Sequence, residues 1–236
     1  MCSKTAQILL TTAVAISCAA WTAAQTSAPR PPPKSSQARQ EELAKVQEML
    51  SDPDPNARLA NMEDIVNSGD PTRLQLALRI VFHSDDQNMR ALGVRAYIAT
   101  LHEITFEIQL PAQIQHQYDE AQGDGDKMDA LVKQYPYLKP FASIGFRVHL
   151  VFSNYVMAKS TGVLTEPRRN APGTFTVSGD RVNGSFDAAL SSLGYSACNI
   201  EFRPTVDMLL RGTLTCEPAA GIHVIVPRLS ISAPIF

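Results

Sequence analysis

The hydrophobic period of this chain changes once, near His102, and that change limits the fold more than any other feature. Before it, apolar residues recur at helical spacing, as in Leu59, Met62, Ile65 and Val66 or Leu74, Ala77, Leu78 and Val81. After it, Ile104, Phe106, Ile108 and Leu110 alternate with Thr105, Glu107 and Gln109. The first pattern gives a helix one apolar face, and the second does the same for a strand. The expected class is α+β, with a helical domain over residues 39–102 and a β-rich domain over residues 103–236.

In the helical part, three segments begin alike. They are Ser51-Asp52-Pro53-Asp54-Pro55, Ser68-Gly69-Asp70-Pro71 and Ser84-Asp85-Asp86, and their serines recur about every 16 or 17 residues. Ser and Asp can cap free backbone N–H groups, and Pro is tolerated in a first turn. A further amphipathic helix, from about Gln40 to Leu50, precedes them through Leu43, Val46 and Leu50. The stretch 37–101 resembles HEAT-like repeats, in which an Asp-Pro turn leads into an Arg-bearing helix. The resemblance implies a short antiparallel bundle of four helices. It also implies that Asp and Arg brace neighbouring turns, which makes Arg58, Arg73 and Arg90 structural before they are an anion site. Together with Arg203 and Arg211 they remain the candidates for an interaction surface.

The β-rich part carries a helical insertion over 112–135, with Gly123-Asp124-Gly125-Asp126 as a loop and Asp126 as the cap of the next helix. Alternation returns at Phe146, Val148, Leu150 and Phe152. Short strands then follow near 156–165, 173–178, 181–187, 197–203, 208–216 and 222–231. The hairpin from Cys198 to Cys216 has a definite register if it turns around Thr205 to Met208. Cys198 then faces Cys216, Ile200 faces Leu214 and Phe202 covers Gly212, all on one face. A Cys198–Cys216 disulfide would contribute on the order of 3 kcal/mol. The discord in this register is Arg203 opposite Arg211, relieved by solvent screening or a longer turn. Asn183-Gly184 reads as a turn or bulge signal. An antiparallel sheet or small sandwich pinned by the disulfide is expected. An outer-membrane barrel ending at Phe236 is not, because alternation fails at Ser230, Ser232 and Pro234 and the strands are short and few.

Lys4 followed by the apolar run Ile8–Ile16 and small residues makes residues 1–20 a signal peptide, so the protein is expected to be exported, to the periplasm or envelope. Two processing routes fit. A peptidase can cut after Ala20 or Ala24, or Ala15-Ile16-Ser17-Cys18, which resembles a bacterial lipobox, can leave an acylated Cys18 as a membrane anchor. Residues 21–38, rich in Thr, Ala, Ser and Pro, read as a disordered tether. An oxidising compartment favours the disulfide over a reactive thiol pair.

Chemistry is sparse. The net charge of −2 gives no sign of a polyanion-binding surface, and no nucleic acid partner is expected. His83, His102, His116, His149 and His223 are scattered, His102-Glu103 lacks a second zincin histidine, and the Asp124 loop lacks calcium ligands. No metal or cofactor is expected, and no catalytic motif is present. The expected function is therefore non-catalytic: an envelope protein presenting an interaction surface to a protein partner. Two rivals are a hydrolase whose His149, Glu107 and Asp187 share a cleft, and a carrier enclosing a small apolar ligand.

Overall fold

The computed structural model describes residues 35–168, 171–190, 194–217 and 226–236. The expected signal peptide, Cys18, the expected tether before Ser35 and His223 lie outside them. Four helices come first: α1 Ser36–Leu50, α2 Pro55–Asn67, α3 Pro71–Phe82 and α4 Gln87–Thr100. Each of the last three starts on an aspartate in extended conformation, Asp54, Asp70 or Asp86, whose carboxylate accepts first-turn N–H groups. Pro55 and Pro71 occupy first-turn positions, where their missing N–H costs nothing. Val46, Met62, Ile65, Leu78 and Val81 close the bundle core, and Gly93 lets α4 approach α3, since a Cβ there would meet Val81 at 2.6 Å.

Eight strands follow: β1 Glu103–Gln109, β2 Arg147–Val156, β3 Thr161–Thr165, β4 Pro172–Ser178, β5 Arg181–Leu190, β6 Gly194–Pro204, β7 Leu209–Glu217 and β8 Leu229–Pro234. They pair in chain order, and β8 returns to β1 through Glu107↔Ser232, Ile108↔Ile231 and Gln109↔Ser230. The sheet is thus a closed antiparallel barrel, which corrects the expected open sheet or sandwich. Alternation reports which residues share a face. It does not report whether the first strand of a meander meets the last, and closure removes both edges.

Apolar side chains point in and polar ones out. Phe106, Phe152, Phe175 and Phe202 meet inside, with ring centroids 5.0 Å apart for Phe106–Phe202 and 5.1 Å for Phe152–Phe175. Room for them comes from inward glycines: a Cβ on Gly162 would lie 2.4 Å from the Phe175 ring. A lipid-spanning barrel has the reverse polarity, so the outer face, not the number of strands, separates this barrel from that class.

The hairpin of β6 and β7 has the register Cys198↔Cys216, Ile200↔Leu214, Phe202↔Gly212 and Arg203↔Arg211. The disulfide is formed, with both sulfurs' residues buried. The turn is as short as the alternation allows, and Asp207 answers Arg211 at 2.6 Å. Asn183 and Gly184 lie inside β5 rather than in a turn. Gly184 faces Ile200 and leaves space for Leu164 and Phe175, while the β4–β5 turn falls on Gly179-Asp180. Between β1 and β2 lie α5 Ala112–Ala121, α6 Gly125–Gln134 and α7 Leu138–Ser143. Asp124, not Asp126, caps α6 by accepting the Lys127 N–H.

The bundle sits at the barrel end where β1 starts and β8 finishes. Tyr97 on α4 donates to the Ile235 carbonyl at 3.3 Å, and Arg90 reaches Asp180 in the β4–β5 turn at 3.4 Å. The disulfide fits an exported protein. Among the described residues no helix is long and apolar enough to cross a membrane.

Candidate functional site

Arg39, Arg58, Arg73 and Arg90 are engaged internally. Arg58 pairs with Asp86 at 3.1 Å and donates to the Asp52 carbonyl at 2.8 Å, so α2 holds the cap of α4. Arg39 does the same from α1 to the α3 cap, Asp70, at 3.2 Å. Arg73 returns from α3 to Glu42 at 3.4 Å, and Arg90 donates to the Ser84 carbonyl at 2.7 Å while bridging to the barrel. The Asp70 carboxyl is held down at about 2, first by the Arg39 hydrogen bond, against a smaller opposing effect of burial. Asp86 is lowered as well, first by the Met89 N–H. These groups brace the bundle.

A groove crosses the same bundle between the end of α2, the start of α3 and the end of α4. Its volume is about 570 Å³, and Val66, Leu74, Leu78, Ala96, Tyr97 and Leu101 make most of its wall. The chain's own end lies along it. Tyr97 takes the Ile235 carbonyl, and Phe236, 54 % exposed, sits with the Arg79 guanidinium 5.9 Å from its ring centroid. The buried Tyr97 hydroxyl is pushed up to about 12 by desolvation and stays a donor. Reading the sequence missed this groove. The sequence carries no pattern for it, because its wall is drawn from three separate helices.

His149 lines a separate cavity of about 230 Å³ at the side of the barrel, with Thr105, Arg147, Glu166 and Arg168. Its ring nitrogen Nδ1 is 3.0 Å from the Thr105 hydroxyl, and Nε2 is 3.4 Å from Glu103. Glu107 pairs with Arg147 on the outer face instead, and neither Glu107 nor Asp187 lines this cavity. The three residues weighed for a hydrolase therefore do not share it. Glu166, which no sequence pattern marks, is the one buried charged side chain among the described residues. One of its oxygens accepts the Arg168 N–H at 3.3 Å. Among the described residues no three metal-binding side chains gather around one point.

Arg203 and Arg211 lie on the outer face of the barrel, beside Arg181 and Arg228. Comparison with known proteins returns no matching family, no similar curated protein and no similar solved structure.

Proposed function

We propose that this is an exported, non-catalytic protein of the cell envelope that binds a protein partner through its helical half. The observation that supports this most is the apolar groove beside Ile235–Phe236. An apolar channel rimmed by polar side chains marks a place where a chain can dock. The segment Ile235–Phe236 already lies there, with the Ile235 carbonyl held by Tyr97 and the Phe236 ring under Arg79. The occupant proposed is a second extended segment, from a partner protein, bearing apolar side chains that fill the wall between Leu74 and Leu101. The carrier reading loses ground because phenylalanine rings fill the barrel interior.

Photo-crosslinking in cells producing the full chain tests the proposal. A photoreactive residue at Leu74 or Ala99 should give a discrete protein adduct, and one at Lys133 on α6 should not. The adduct should disappear when the peptide Ser-Ala-Pro-Ile-Phe, the chain's own last five residues, is added in excess. Equal adducts from all three positions, or adducts the peptide leaves unchanged, would overturn the groove as the docking site. Intact mass of the envelope-derived protein separates the two processing routes: an acylated Cys18 start means a tethered protein, a start at Trp21 or Gln25 a free one.

A further inference from the structure

The barrel's outer face holds a second site, independent of the groove. Register pairs Arg203 of β6 with Arg211 of β7, and Arg181 of β5 follows next to Arg203 as the pair beyond Val182↔Phe202. Three arginines thus occupy outward positions of one cross-strand row, on adjacent strands about 4.8 Å apart. Like charges directly opposite destabilise a sheet. The nearby carboxylates offset this only in part. Arg181 and Arg228 share Glu201, at 2.9 and 3.5 Å, and Arg211 has Asp207 at 2.6 Å. Arg203, in the middle, makes no ion pair among the described residues. All four arginines are exposed.

Behind this row the outward positions change character. The next cross-strand row is Asn183, Glu201 and Thr213, and the one after it Ser185, Asn199 and Thr215. These hydroxyl and amide groups, with the Glu201 carboxylate among them, line a shallow hollow of about 380 Å³, within the size of small-ligand sites. A smaller hollow of about 180 Å³ lies over the arginines, and the two share Glu201, Thr213 and Arg228. One continuous surface therefore presents excess positive charge at one end and hydroxyl and amide groups along the rest, around the single carboxylate Glu201, which Arg181 and Arg228 pair. Acidic peptide would use the arginines but has few groups to match the hydroxyl rows. A polymer carrying both carboxylates or phosphates and many hydroxyls matches both.

We infer that the outer face of β4–β7 binds an anionic glycan, with Arg181, Arg203 and Arg211 holding its acidic groups and Asn199, Thr213 and Thr215 its hydroxyls. The guanidinium fork suits carboxylate and phosphate oxygens alike.

Calorimetric titration of the full chain with an oligogalacturonate octamer tests this, beside neutral maltooligosaccharide and poly-glutamate of matched charge. Oligogalacturonate should bind with an affinity that falls with salt, and the other two should bind at least about tenfold more weakly. Replacing Arg203 and Arg211 by Gln should lower affinity by about tenfold or more, and Thr213→Val with Thr215→Val by about threefold. Arg203→Gln should leave the melting temperature unchanged or higher, because it removes a like-charge neighbour, so lost binding cannot be ascribed to lost folding. Poly-glutamate binding as tightly as the uronate, with the threonine variants silent, would overturn the glycan in favour of an acidic protein. Absence of oligogalacturonate binding at low salt would overturn the site altogether.

Discussion

The helical bundle and the barrel are held together by different kinds of interaction. In the bundle, the caps are local and the braces span a helix pair: Asp70 caps its own helix, and Arg39 and Arg58 reach the caps of α3 and α4, 31 and 28 residues on. In the barrel, the decisive contacts are distant, since β1 must find β8 before any edge is satisfied. A bundle of this type can be assembled piece by piece, whereas a barrel gains most of its stability only when it closes. The difference also separates the two surfaces. The groove is made by the packing of neighbouring helices, and the arginine row by strands that register brings side by side.

Perturbing one half at a time should expose this difference. The largest effect is expected from Phe202→Ala, which empties the meeting point of the Phe106 and Phe152 rings and should cost about 3–5 kcal/mol. Denaturant unfolding followed by near-ultraviolet and helix signals would show whether the bundle outlasts the barrel or falls with it. Coincident transitions would mean that one cooperative unit spans both. Replacing Cys198 and Cys216 together by Ser should remove about 3 kcal/mol, given the sequence separation of 18. Urea midpoints with and without reductant should differ for the parent chain and coincide for the variant.

Gly212→Ala should cost about 1–3 kcal/mol, because its Cβ would fall 1.9 Å from the Glu201 carbonyl oxygen. The arginine row would shift with it, so oligogalacturonate binding should weaken as well. In the bundle, Asp70→Ala should cost about 1 kcal/mol through the lost N-cap. Its pH dependence has a definite sign. The folded-state carboxyl lies below its unfolded value, near 4, at about 2. The contribution is therefore complete above pH ~4 and disappears as pH falls through about 2. Melting of the parent chain and of Asp70→Ala should converge across that window, and a constant gap down to pH ~2 would count against the Arg39–Asp70 brace.

Much of the local structure was legible from residues alone. The serine and aspartate spacing located helix starts, although the caps are Asp54, Asp70 and Asp86 rather than the serines. The cysteine hairpin was legible in full register because its alternation, its turn and its glycine agree on one solution. Asn183-Gly184 was not, because the same dipeptide that favours a turn also suits a strand position where a neighbouring side chain needs the space. Glu166 carries no pattern at all, and its burial is decided by where β3 ends.

What the sequence by itself determined is therefore whatever depends on near neighbours: the change of period at His102, the helix caps, and the pairing of Cys198 with Cys216. Only the tertiary structure decided that eight strands close, that Ile235–Phe236 lies in a helical groove, and that Arg181 and Arg228 join Arg203 and Arg211. The physical reason is common to all three. A two-residue period assigns each side chain to a face but leaves the choice of neighbouring strand free, and that choice is made by packing among residues far apart in the chain.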